Sequence, residues 1–196
     1  MRCFLPNSKS SPFRYISNLF GQSQQNPPFT KMSTRIQRAT SADADFVVLA
    51  QKLTEFLAAH NGERNEFYVQ FNKIDTIPNA VVAYVDGNPV GCGAFRPVDD
   101  QTVEIKRMFV APTVRGRGIG QAILGELEAW AVQEGAHTAV LETSKRLDSA
   151  VRLYQRSGYV VIPNYGPYVD AGDSVCMEKE LDNQKPLTTG YGKTPS

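Results

Sequence analysis

EIKRMFVAPTVRGRGIGQAIL, residues 104–124, passes through three backbone regimes in one short run. Its opening residues are β-rich. Gly116, Gly118 and Gly120 then interleave with Arg115 and Arg117. From Ile119 onward apolar residues recur at helical spacing, through Ile123, Leu124, Leu127, Trp130 and Ala131. A helix start normally favours acidic or hydroxyl side chains, because the macrodipole places partial positive charge there. Two arginines oppose that preference by roughly a few tenths of a kcal/mol, and the glycines make the backbone costly to order. A phosphorylated ligand removes the difficulty. Glycines let it approach the main chain, the first helical N–H groups lack intrahelical partners, and arginines add charge-assisted hydrogen bonds. A solvated Gly/Arg turn with nothing bound is the alternative.

Outward from this run the elements follow in order. Gly135 stands where a helix cap belongs, and HTAVLET reads as a strand of the buried type. Residues 149–157 form a short helix with Ala150, Leu153 and Tyr154 on one face and Gly158 as its stop. YVVIP and SVCMEKEL are two further strands. Upstream, residues 41–60 carry Phe46, Leu49, Leu53, Phe56 and Leu57 on one helical face, with Thr40 and Asp43 as a capping pair. Residues 61–79 leave room for a second short helix. AVVAYV and VGCGAF flank Asp86-Gly87-Asn88, a hairpin signal, and a turn over 97–101 leads into TVEIKRMFV. Helix, three strands, helix, strand, helix and two strands predict an α/β (α+β) fold. Its sheet is mixed, because a strand-helix-strand unit makes a parallel pair.

The 196 residues suffice for one domain with a real core. A net charge of +1 supplies no global field for nucleic acid or a membrane surface. Cys3, Cys92 and Cys176 are odd in number and scattered, which argues against zinc or a disulfide framework and fits a reducing, cytoplasmic setting. Residues 1–32 read as a basic, acid-free, disordered extension. A mitochondrial presequence and an extension upstream of a start at Met32 both fit that composition. Residues 33–181 are expected to form the domain, and 182–196 a disordered tail.

No Gly-x-x-x-x-Gly-Lys-Ser/Thr run exists, so a P-loop is excluded. A dinucleotide βαβ unit ending at Glu142 is a poorer match: the spacing is Gly-x-Gly-x-Gly, and residues 111–115 separate strand from glycines. Arg115-x-x-Gly118-x-Gly120 resembles instead the pyrophosphate loop, Arg/Gln-x-x-Gly-x-Gly/Ala, of the GNAT superfamily of acyl-CoA-dependent N-acyltransferases. The resemblance extends through AVLETS and AVRLYQRSGY and covers roughly residues 34–181. It implies a mostly antiparallel sheet flanked by helices on both faces, acetyl-CoA as co-substrate and no metal.

The same resemblance assigns site residues. Arg115, Gly116, Arg117, Gly118, Ile119, Gly120 and Gln121 hold the coenzyme A diphosphate. Met108, Phe109 and Val110 pair through their backbone with the pantetheine arm, and an N–H there polarises the thioester carbonyl. Tyr154 protonates the departing thiolate, and Glu104 is the general base, often through water. Taken alone, Tyr154 also suits a core aromatic, and Glu104 a strand-surface partner for Lys106. Relatives carry Asn seven residues before this tyrosine; here the position is Leu147. The acceptor is expected to be a small-molecule amine, met by Phe67, Tyr165 and Tyr168. A protein N-terminus or lysine, a homodimer, and a catalytically silent CoA-binding module remain open.

Overall fold

Seven strands form one sheet in the computed structural model, which describes residues 33–61 and 77–181. Their order across it is β1 (Thr34–Ala39), β2 (Asn79–Val85), β3 (Asn88–Pro97), β4 (Thr102–Val110), β5 (Thr138–Ser144), β7 (Ser174–Glu180) and β6 (Val160–Ile162). Only β4 and β5 are parallel. They are joined by α2 (Ile119–Gln133), a crossover of the kind parallel neighbours require. α1 (Ala44–Asn61) covers one face of the sheet, and α2 with α3 (Asp148–Arg156) covers the other. The mixed, mostly antiparallel sheet between helices is therefore present.

Strand β2 shows why the sheet is buried on both sides. Val81, Ala83 and Val85 join the core under α2, while Ala80, Val82 and Tyr84 join the core under α1. The β2–β3 hairpin turns through Asp86 (φ 49°) and Gly87 (φ 82°), the two left-handed residues of a tight turn matched to strand twist. Both later helices end in the same double bond pattern. At α2, Ala136 N–H donates to Ala131 O and Gly135 N–H to Val132 O; at α3, Tyr159 donates to Tyr154 and Gly158 to Gln155. Gly135 (φ 94°) and Gly158 (φ 93°) supply the left-handed step.

Three details depart from sequence expectation. A strand, β1, precedes the first helix; it was hidden because Ile36 is its one large apolar residue against the core. Its arginines are held by aromatics, Arg35 over Tyr84 and Arg38 over Trp130. The cap of α1 is Asp43 itself, whose carboxylate accepts from the N–H groups of Asp45 and Phe46, each at 3.0 Å. Phe56 leaves the core stripe and is 37% exposed. Residues 62–76, most of the stretch over 61–79 where a second short helix was expected, lie outside the described residues, as do the acceptor contact Phe67, Cys3 and both terminal segments.

Two features of β4 prepare a site. Ala94 pairs with Lys106 but Cys92 with Phe109, so β4 carries one extra residue, a bulge that holds Arg107 at φ 58°. β4 also pairs with β5 only from Thr102 to Ile105. Beyond that the strands part: β5 continues against β7, and residues 106–110 lack a partner on the β5 side.

Candidate functional site

The gap between β4 and β5 opens into a cleft of about 540 Å³. One end is the loop after β4. Pro112–Val114 makes one turn of 3₁₀ helix, then Gly116 (φ 79°) and Gly118 (φ 78°) take left-handed conformations that L side chains rarely adopt. A Cβ at either would meet nothing within 4 Å, so backbone geometry, not crowding, calls for glycine there. Gly120 differs. Its φ is ordinary, and a Cβ would stand 3.3 Å from Leu153 Cδ2, so it lets α2 approach α3.

Gly118 is the N-cap of α2 and offers no side-chain acceptor. The first helical bond runs from Ala122 N–H to Gly118 O at 3.0 Å. The N–H groups of Ile119, Gly120 and Gln121 precede it, and all three residues line the cleft. These are the features an anion site requires: helix-start donors ahead of the first helical bond, a positive dipole end and open space. Arg115 braces the loop from behind, with Nε donating to Val110 O at 2.9 Å and its guanidinium over the Phe56 ring at 5.3 Å. That contact explains the exposure of Phe56.

The walls are β4 residues Met108, Phe109 and Val110 on one side and α3 on the other. Leu147, the N-cap of α3, also has no side-chain cap bond and faces the cleft, as do Arg152 and Arg156. Tyr154 lies at the wall, 5% exposed, edge-to-face with Tyr159 at 5.8 Å. Burial, and secondarily the Glu142 carboxylate, push its phenol well above its ordinary pKa. The hydroxyl therefore keeps its proton through neutral pH and is a donor. Cys92, pushed up to about 12 by burial, is no nucleophile at that pH.

The α1 face of the sheet carries the remaining polar groups. Glu104 is 1% exposed, so it is no surface residue, although its pairing with Lys106 is real. Its Oε2 accepts from Arg96 Nε at 2.8 Å and lies 2.7 Å from Arg96 Nη2. Its Oε1 accepts from Lys106 Nζ at 3.3 Å and from the hydroxyls of Tyr165 and Tyr168 at 3.4 and 3.5 Å. Burial, then the Glu104 charge, raises both phenols. Glu142, two rungs along on β5, accepts from Ser174 Oγ at 2.5 Å, and burial raises its carboxyl against that bond and Lys106. Arg107, on the bulge, donates from Nη1 to Thr54 Oγ1 at 3.3 Å, while its carbonyl accepts from the Cys92 thiol. Holding a non-glycine residue at that φ costs about 1 kcal/mol or more.

Of the expected residues, the cleft gathers Met108, Phe109, Val110, Arg115, Gly116, Gly118, Ile119, Gly120, Gln121 and Tyr154. Arg117 is exposed on the loop and outside the lining, and Glu104 belongs to the buried ionic cluster instead. Sequence reasoning missed Leu53, Phe56, Ser149, Arg152 and Arg156, which line the cleft. Phe56 was the detectable one, since it sits off the centre of the α1 apolar stripe.

Residues 47–159 match the model of the acetyltransferase (GNAT) family. Over 102 residues the chain is 37% identical to the IAA acetyltransferase of Azospirillum brasilense, covering 52% of this chain and 67% of that one. Over 101 residues it is 34% identical to human N-acetylaspartate synthetase, covering 51% of this chain and 33% of that one. The chain thus spans only part of the length of these relatives. The crystal structure of a putative acyl-CoA N-acyltransferase from Klebsiella pneumoniae superposes with a TM-score of 0.64 at 31% identity, covering 76% of this chain and 98% of that one.

Proposed function

Because the chain belongs to the acetyltransferase (GNAT) family, we propose that it moves an acetyl group from acetyl-CoA to a primary amine of a small molecule. The observation that carries this is continuity: one cleft joins the uncapped start of α2 to the free edge of β4 and to Tyr154. A nucleotide diphosphate fits the first and an amide-bearing arm the second. A thioester then lies near the third.

Acetyl-CoA supplies the activated acyl group; the chain's residues do the rest. The N–H groups of Ile119, Gly120 and Gln121, with Gly116 and Gly118 giving access, bind the diphosphate. The main chain of Met108 to Val110, unpaired on its β5 side, holds the arm and offers an N–H to the acyl oxygen as it gains charge. The neutral amine attacks the acyl carbon directly in a ternary complex. A C–N bond forms, the C–S bond breaks, and the thiolate takes the Tyr154 proton. The proton lost by nitrogen goes to Glu104 through water, and solvent exchange restores Tyr154. No enzyme nucleophile is required, in keeping with the buried, inert Cys92.

The test is an amine-library screen with acetyl-CoA, read by mass spectrometry for acetylated products. Products gained by about 42 Da, and lost in Tyr154→Phe, are expected from acyl transfer with a phenolic acid. Tight acetyl-CoA binding with no acetylated product would mark a silent binding module. Thermal stabilisation by NAD but not by acetyl-CoA would overturn the ligand assignment altogether.

A further inference from the structure

The chemistry above uses Tyr154, Glu104 and backbone groups, and makes no use of Arg107. Its guanidinium is half-buried, its Nε is buried without a hydrogen-bond partner, and Thr54 is the side chain it donates to. Arg96 and Lys106 share Glu104, yet no carboxylate among the described residues comes within ion-pair distance of Arg107. Burial lowers its pKa, but a guanidinium stays charged. Among the described residues this partly buried cation has no counter-charge, which is costly, and so is its left-handed backbone. Both costs fall beside the proposed thioester position. Arg107 precedes Met108, and Thr54 lies between Leu53 and Phe56; all three of those neighbours line the cleft.

We propose that Arg107 anchors a carboxylate of the acceptor, so that the amine acetylated belongs to an amino acid or a similar amino-carboxylate. This rests on the transferase assignment and narrows it. A guanidinium matches a carboxylate with two parallel hydrogen bonds and orients it, as a lysine would not. In an α-amino acid the nitrogen is two bonds from the carboxyl carbon. Holding the acid at Arg107 therefore keeps the amine close to the acyl group beside Met108, and the arriving charge compensates the cation.

Matched pairs that differ only in the carboxylate decide the matter: phenylalanine and phenethylamine, tyrosine and tyramine, lysine and cadaverine. The full chain is expected to show kcat/KM at least about tenfold higher for the acid of any pair it turns over, the scale of one buried charge-assisted contact. In Arg107→Gln that ratio falls to near one, through a higher KM for the acid, while the KM for acetyl-CoA holds. Arg107→Gly suits the left-handed backbone, so it separates loss of charge from failure to fold, and it should lose the ratio with its melting temperature kept. Equal use of acid and plain amine by the unaltered chain overturns the inference and leaves acetyl transfer standing. So does an equal slowing of both members of a pair in the variants. Acetyl-CoA turnover with no member of any pair sinks the inference as well.

Discussion

In the roles proposed for them, Tyr154 and Glu104 move protons, and each role makes its own prediction. Tyr154→Phe keeps the ring and its packing on Tyr159 but removes the donor. We expect kcat to fall by about 10²-fold, the range for one general acid, with acetyl-CoA affinity little changed by calorimetry. Because the phenol's pKa is raised, no alkaline decline of the wild-type rate below pH 10 belongs to it. For Glu104, replacement by Gln should lower kcat by about 10²-fold if it accepts the amine proton. An unchanged rate would reduce Glu104 to the anchor of Arg96 and Lys106. Glu142 bears on stability. Its folded pKa is raised, so it favours folding below the unfolded pKa, and this contribution is lost as pH rises through the folded value. Glu142→Gln is therefore expected to melt higher than wild type at neutral pH, an advantage that disappears in acid. Both Tyr154 and Glu104 are named as candidates from their local sequence. The partners of Glu104 could not, because Tyr165 and Tyr168 lie some sixty residues away along the chain and meet it only through β7 and the loop before it.

At the level of elements, glycines set how close α2 comes to the sheet. A Cβ on Gly93 would stand 2.6 Å from Met108 Sδ and 2.8 Å from Ile123 and Leu127, and one on Gly91 2.9 Å from Ile123 Cδ1. These contacts press α2 onto β3 and so aim its start at the cleft. Gly93→Ala is expected to lower stability by about 1–3 kcal/mol in urea titration, as overpacked cores do, and to weaken acetyl-CoA binding as α2 shifts. Gly118→Ala acts differently: its strain is conformational, about 1 kcal/mol, and its methyl would enter open space, where the proposed diphosphate would dock. Helix and strand periods made α2, α3 and the β2–β3 hairpin readable in sequence, because their apolar residues repeat where burial demands. β1 was unreadable for the opposite reason: its arginines are exposed and rest on Tyr84 and Trp130, so Ile36 is its one large apolar residue against the core. The place of Phe56 off the centre of the α1 stripe was legible, but its partner Arg115, far along the chain, was not.

Across the whole molecule, the decisive feature is the four-rung pairing of β4 with β5, which no periodicity reveals. The sheet is continuous at one end and divided at the other, with α2 as the covalent bridge over the division. A ligand seated there contacts both halves. At a concentration of about 100 times its Kd, acetyl-CoA should add about 2.7 kcal/mol to stability, seen as a rise in melting temperature. Amide exchange should slow at residues 106–110 and 116–121 together.

The unpaired stretch of β4 has a further consequence when nothing occupies the gap. Strand edges recruit other strands, and proteins usually blunt them with charge, proline or a covering element. In the proposed reading the covering piece is the co-substrate, which would make the vacant enzyme the more adhesive form. Heated without acetyl-CoA, it should scatter light at a lower temperature and protein concentration than when saturated, and the clumps should carry intermolecular β-structure seeded from this internal margin.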